Sequence, residues 1–385
     1  MSTIYIHWPF CLKKCDYCSF YSVTCPKDLD LNLWLSAYER VLKKHLEEFY
    51  NNEEITSIYF GGGTPSLVPS YFVADILCYI DKYFKVCKQA EITIEANPGT
   101  INCNKLKDYK DAGVNRLSIG VQSLVDESLK ILGRIHTSNE AIKCIHEASE
   151  VFDNVSADFI YNRPGQTLPD WQDELHQICK LPVKHLSLYE LIVEDNTPIC
   201  KKIDSGILPK QNETSEFFEE TCRISNKYNF NQYEVSNFAK SRTNNETLPT
   251  YYSRHNMSYW NYEDYYAVGP SAHSRITKNG CKIAIEQIAN NSLWLTWSKH
   301  PVFECEPLDK FAEYKERLIM GLRTTHGIKI SDIDEKIQKY YGLKNKLEKL
   351  IENSYIIIDG DVMTLSYQGR LRLNLIVQYL SRELQ

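Results

Sequence analysis

IYIHW (residues 4 to 8), LWLSAYERVLKKHLEEF (33 to 49) and ITSIYF (55 to 60) set the rhythm of the chain. The first and third are short and β-rich; the second is longer and amphipathic, so the hydrophobic period switches from 2 to 3.6 and back. The same alternation continues through AEITIEA (Ala90 to Ala96), NRLSIGVQ (Asn115 to Gln122), NVSADFIY (Asn154 to Tyr161) and HLSLYELIV (His185 to Val193), each followed by a helical stretch. Six strands alternating with helices predict a parallel sheet, open or rolled into a barrel or part of one. Gly61-Gly62-Gly63, Asn97-Pro98-Gly99 and Arg163-Pro164-Gly165 follow strands, on the carboxyl edge where α/β folds place their ligands.

With 385 residues the chain is long enough for a large domain plus an appendage. Its 43% hydrophobic and 24% charged residues are ordinary for globular proteins and exclude disordered or collagen-like classes. No apolar run approaches the roughly 18 residues of a membrane span, and the opening MSTIYIHWPFC lacks the pattern of a secretion signal, so a cytoplasmic location is expected. The net charge of −6 writes no general attraction to nucleic acid or anionic lipid into the chain. Peripheral membrane contact and pairing of two copies are left open.

The rhythm breaks beyond Phe238, where the polar segment Ala239 to Asn256 reads as a connector. The expected division is therefore 1–240, a core barrel, and 241–385, a C-terminal region. From Leu308 onward, Phe311, Leu318, Ile319 and Leu322 recur at helical spacing, and YIIID and GDVMTLS predict a β-hairpin before a last helix. This looks like a small winged helix. Between residues 301 and 385, however, 13 Lys plus Arg balance 13 Asp plus Glu, so a nucleic-acid role is not expected, because phosphate binding is mostly electrostatic. Such a domain is expected to cover the open side of the barrel or to meet a partner protein.

Of thirteen cysteines only Cys11, Cys15 and Cys18 are bunched, in a CxxxCxxC loop directly after the first strand. Three thiolates in a cubane cluster leave one iron open for an external amine and carboxylate. Structural zinc, completed by His7 or Cys25, is the other reading of the same residues. Gly61 to Pro65 (GGGTP) follows the second strand and Glu95 closes the third. Alone, a glycine run is a tight turn; one strand after a cysteine loop, it is expected to let backbone approach a ligand.

Together these residues resemble the radical S-adenosylmethionine superfamily, and within it the oxygen-independent coproporphyrinogen III oxidases and their relatives. YIHWPFCLKKCDYCSF (Tyr5 to Phe20), YFGGGTPS (Tyr59 to Ser66), IEANP (Ile94 to Pro98), GVNRLSIGVQS (Gly113 to Ser123), LGRIH (Leu132 to His136) and DFIYNRPGQT (Asp158 to Thr167) carry the resemblance, which runs over nearly the whole chain. It implies a partial (β/α)6 barrel with a helix-rich, winged-helix-like C-terminal domain, and a 4Fe-4S cluster on Cys11, Cys15 and Cys18. It also implies that Tyr5, Tyr17, Gly62, Gly63, Thr64, Glu95, Gln122, Arg134 and Asp158 surround S-adenosylmethionine. In that arrangement carboxylates would hold the ammonium and ribose hydroxyls, Arg134 would pair with the methionine carboxylate, and Tyr17 would lie against the adenine.

Two features choose a branch. The oxidases carry a further cysteine two residues after the third ligand; here that position is Phe20. RHNMSYW contains an HNxxYW motif (His255 to Trp260) that resembles the signature of HemW-type heme chaperones. The resemblance therefore implies a heme-binding chaperone that delivers heme to acceptor proteins; the alternative is the oxidase itself. His255 is the candidate heme contact, backed by Tyr259 and Trp260, and His273 within GPSAHS is the outside candidate. As a bare motif, a core histidine beside packed aromatics is the commoner reading, and interior filling is the default for the tyrosines around it, Tyr251 to Tyr266. One departure from the family pattern stands out: Asn162-Arg163 replaces the usual Gly-Leu.

Overall fold

The computed structural model describes all residues except 213–214, 244–245, 247 and 383–385. The six expected strands form, as Ser2–Trp8, Ile55–Gly62, Val86–Ala96, Arg116–Gln122, Asn154–Tyr161 and His185–Glu190, and they pair in parallel in chain order. Helices Leu31–Phe49, Ser70–Tyr83, Cys103–Asp111, Ser138–Val151 and Leu168–Ile178 return the chain between them. Their starts follow from local chemistry. The Asp30 carboxylate accepts from the N–H groups of Asn32 and Leu33, and Thr137/Glu140 and Thr167/Asp170 form reciprocal capping boxes.

Side-chain alternation explains why this sheet encloses a polar chamber. Residues of one parity, such as Ile4, Ile58, Ile94, Leu117, Ala157 and Leu186, are buried against the helices. Those of the other parity, Tyr5, Tyr59, Glu95, Ser118, Asp158 and Ser187, line the interior. The outward faces supply the main core, each fully buried aliphatic chain contributing about 1.5–3 kcal/mol.

The sheet does not stop where the alternation does. Asp264–Val268 pairs in parallel with the first strand, and His273–Lys278, Cys281–Glu286 and Cys305–Pro307 extend that edge antiparallel; Asn237–Lys240 and Phe230–Gln232 extend the other, giving twelve strands. Tyr266, Ile276, Ile285 and Trp294 belong to the main core, whereas the second core runs from Tyr314 to Leu380. The division expected at 240/241 is thus displaced: the sheet continues to Pro307, and the separately packed unit begins just after it. The connector expected over 239–256 lies partly outside the described residues; its described end leads into helix Arg254–Trp260.

That C-terminal unit has helices Lys310–Gly321, Glu335–Tyr340, Leu343–Glu352 and Leu373–Leu380 around the hairpin Ile356–Asp359/Val362–Leu365. It touches both flanks of the open sheet. Glu316 holds Arg275 at 2.9 Å on one side, and Arg323 reaches the buried Glu234 at 3.2 Å on the other. No helix is long and apolar enough to cross a membrane among the described residues.

Candidate functional site

The three cysteines, the nine residues expected around S-adenosylmethionine and His255 all line one cavity of about 690 Å³ inside the barrel. At its mouth, Phe10–Cys11 pairs with Val23–Thr24 and anchors the cysteine loop, while the Cys18 N–H donates to the Cys15 carbonyl. Cys11 is buried, Cys15 and Cys18 half-buried. Among the described residues no three His, Cys, Asp or Glu side chains are already gathered into a metal-binding group; the three thiols share a wall instead. Asp16, between two of them, is tied down on three sides. Its N–H donates to Leu132, its carbonyl accepts from Ile199, and its carboxylate pairs with Lys202 at 2.6 Å.

The glycines of the GGGTP loop have a more local reason than ligand approach. A Cβ on Gly63 would stand 2.6 Å from the Phe10 carbonyl oxygen, and one on Gly62, at φ +110°, 2.7 Å from that of Trp8. The Gly63 N–H donates to the Trp8 carbonyl at 2.6 Å and the Thr64 N–H to that of Phe10 at 2.8 Å. Glycine is required because this turn lies directly on the strand that delivers Cys11. Thr64 in turn accepts from the Asn97 amide at 3.0 Å.

Arg134 binds the loop from the opposite side. Its Nη1 donates to the Cys15 sulfur at 3.2 Å, and its Nη2 to Asn97 Oδ1 at 2.5 Å and the Gly120 carbonyl at 2.6 Å. Gln122, at φ +71°, closes the strand beneath. Tyr17 packs beside Leu132, Ile160 and Leu191, its phenol pushed up by burial. Glu95 accepts from Tyr59 Oη at 2.9 Å and the Gly62 N–H at 3.2 Å, and burial raises its carboxyl to about 7. Asp158, also raised by burial, accepts from Ser118 Oγ at 3.1 Å. Two desolvated carboxylates and a cation beside a thiolate suit a ligand that carries ammonium and carboxylate groups. The donor set therefore fits both a cluster and S-adenosylmethionine.

His255 is 1% exposed and lies in the first turn of helix Arg254–Trp260. Its Nδ1 meets Ser57 Oγ at 2.9 Å, its Nε2 meets Tyr259 Oη at 2.8 Å, and its ring stacks on Tyr59 with centroids 4.8 Å apart. Burial, with the charge of Arg116, depresses its pKa to about 3, so the imidazole is neutral. Tyr259 lines the cavity with it. Trp260 does not: it faces away, packed near Met257 with the Arg323 guanidinium 4.7 Å above its ring. The backing expected from Tyr259 and Trp260 is thus split between the cavity and the seam with the C-terminal unit.

Other expectations are also corrected. His7 is outside the cavity lining, with Nδ1 against Tyr5 Oη and Nε2 against the Tyr21 carbonyl, so it is not placed as a fourth ligand. His273 is exposed beside Glu286 and does not reach the cavity. Asn162 adopts φ +52°, a conformation glycine favours and asparagine tolerates, while Arg163 is buried and paired with Glu174. Sequence reasoning passed over Asn97, Arg116, Ser118 and Asn256, which also line the cavity. The parity of the strand was the available signal, since Arg116 and Ser118 share the inward face with Gln122.

Comparison with known proteins agrees with this geometry. The Radical SAM superfamily model matches residues 5–178 and the HemN C-terminal domain model residues 308–372. The structure of coproporphyrinogen III oxidase (HemN) from Escherichia coli superimposes with a TM-score of 0.82 at 20% identity, covering 99% of this chain and 90% of that one, a likeness of fold. These define a radical SAM protein with a HemN-type C-terminal domain. "Heme chaperone HemW" of Buchnera aphidicola subsp. Schizaphis graminum is 32% identical, over 97% of this chain and 96% of its own. "Radical S-adenosyl methionine domain-containing protein 1, mitochondrial" of Danio rerio is 32% identical over 100% of this chain and 88% of its own. The chain belongs to the HemW family of radical SAM proteins.

Proposed function

We propose that this protein is a heme-binding chaperone that carries a 4Fe-4S cluster on Cys11, Cys15 and Cys18, binds S-adenosylmethionine beside it, and passes heme to acceptor proteins. The observation that carries the reading is that His255 and the three cysteines line one cavity. When bound, the cluster supplies an open iron for an amine and a carboxylate. Around it, Arg134 holds Cys15 in register and offers positive charge, while Glu95 and Asp158 offer acceptors to a cation. Ser57 fixes the His255 ring through Nδ1, so Nε2 is the nitrogen available to heme iron once the Tyr259 hydroxyl turns aside, an exchange costing about 1 kcal/mol. The oxidase reading is weaker: Phe20, 70% exposed at the cavity mouth, puts an apolar ring where the oxidases carry a thiol.

The test is heme titration of anaerobically reconstituted protein. A Soret band that weakens or shifts in His255→Ala, with iron and sulfide content unchanged, supports the reading. Unaltered affinity and spectrum would leave the motif as a packing element, and release of carbon dioxide from coproporphyrinogen III in the presence of S-adenosylmethionine would promote the oxidase.

A further inference from the structure

Arg116 is the first residue of its strand and is 2% exposed, yet its guanidinium makes no hydrogen bond to any described residue. The nearest carboxylate, Glu91, stands 3.9 Å from Nε, beyond hydrogen-bond reach. Each Glu91 oxygen accepts one backbone N–H, from Arg254 and His255 at 3.2 Å, and Glu91 meets Arg116 only as a long ion pair with no hydrogen bond. Nε is fully enclosed and orphaned, and the side chain lines the cavity floor. A buried guanidinium with five donors, one long ion pair and no hydrogen bond is costly unless something else supplies acceptors. From this we infer that Arg116 anchors a carboxylate of the ligand that enters the cavity, and that the carboxylate is an acidic side arm of a tetrapyrrole. The inference rests on the heme-binding reading and names which part of the cargo the floor recognises.

Depth separates this anchor from the S-adenosylmethionine region. Arg134 reaches its strand at the Gly120 carbonyl, four residues beyond Arg116, which is ~13 Å along the strand. Arg116 instead shares its layer with His255, whose helix N-terminus is held by the same Glu91. Asp158 and Glu95 also face the cavity and feel the Arg116 charge, but neither is hydrogen-bonded to the guanidinium. Asp158 accepts from Ser118 and Ser156, and Glu95 from Tyr59 and Gly62. The Asn256 side-chain amide, one residue from His255, also lines the cavity and has no hydrogen bond among the described residues, offering a second donor to the same carboxylate.

Reconstituted holoprotein should be titrated with heme, heme dimethyl ester and S-adenosylmethionine, in the wild type, in Arg116→Lys and in Arg116→Gln/Glu91→Gln, which does not strand Glu91. A charged hydrogen bond predicts that heme binds the wild type ~10- to 100-fold tighter than the diester. The double variant should lose that preference and keep its S-adenosylmethionine affinity; Arg116→Lys should retain part of it. Equal binding of heme and diester by the wild type overturns the inference, as does a double variant with undiminished heme affinity. So does loss of S-adenosylmethionine affinity alone, which would assign the carboxylate to the methionyl group. If the double variant fails to fold, the wild-type comparison decides. Absence of any heme binding by the wild type would instead sink the chaperone reading itself.

Discussion

The Arg134 guanidinium lies 3.2 Å from the Cys15 sulfur and with its other terminal nitrogen bridges Asn97 and the Gly120 carbonyl. One side chain thus joins the cysteine loop to the ends of two strands. A cation beside a ligating thiolate stabilises the more negative, reduced form of a cluster. Arg134→Met is expected to make the cluster potential more negative and to weaken iron retention by ~10- to 100-fold. Spectroelectrochemistry and iron release to a chelator measure the two effects; an unchanged potential would leave Arg134 a purely mechanical brace.

Gly63 offers a test that leaves the proposed cluster ligands untouched. The Phe10 carbonyl oxygen lies 2.6 Å from the point a Cβ would occupy, so Gly63→Ala must push the turn off the strand that presents Cys11. The variant should fold, since the outward core is unaffected, but should bind well under half the iron of the wild type after reconstitution. Full iron content would mean that the loop tolerates the shift.

Glu95 makes stability pH-dependent in an identifiable direction. Burial raises its carboxyl from 4.5 to about 7, so between those values the folded chain holds a proton that the unfolded chain has lost. Its contribution to stability therefore falls as pH rises from about 4.5 to about 7. Relative to Glu95→Gln, the wild type should lose ~1–3 kcal/mol between about pH 5 and pH 8, read by denaturant unfolding at each pH. A difference independent of pH would contradict the assignment.

Arg163 and Glu174 form a buried pair whose partners cannot be removed singly. Glu174 also accepts from Ser123 Oγ and the Leu124 N–H, and Arg163 donates to the Gln122 and Ile160 carbonyls. Arg163→Leu, which restores the residue usual in the resembling family, should cost ~3–5 kcal/mol because it leaves Glu174 buried and unpaired. Adding Glu174→Gln should recover part of that loss. Asn162→Gly suits φ +52° but should still cost ~1–3 kcal/mol, because it removes the side-chain bonds from Asn162 to Glu190 and to the Asn212 carbonyl and the acceptor of the Asn212 N–H. Urea titrations of the wild type and these variants would show the pattern.

The six parallel strands, their helices and the cysteine loop were legible in the amino-acid sequence because each rests on local signals. Period-2 and period-3.6 patterns, capping residues such as Thr137 and Thr167, and clustered thiols all lie within a few residues of the structure they dictate. The site residues could be named before the fold because the resemblance to a known family implied them; the parallel strands then bring residues from separate motifs to one cavity. What only the tertiary structure decided is long-range. Pairing of Ser2–Ile6 with Asp264–Val268 moves the unit boundary from 240 to just past Pro307, and nothing near either segment announces the other. Helix Arg254–Trp260 turns His255 and Tyr259 into the cavity and Trp260 toward Arg323, because consecutive side chains of a helix point about 100° apart. Whether Arg116 meets a hydrogen-bond partner was likewise undetermined by any local pattern: the carboxylate near it, Glu91, also holds the start of a helix that enters from far along the chain.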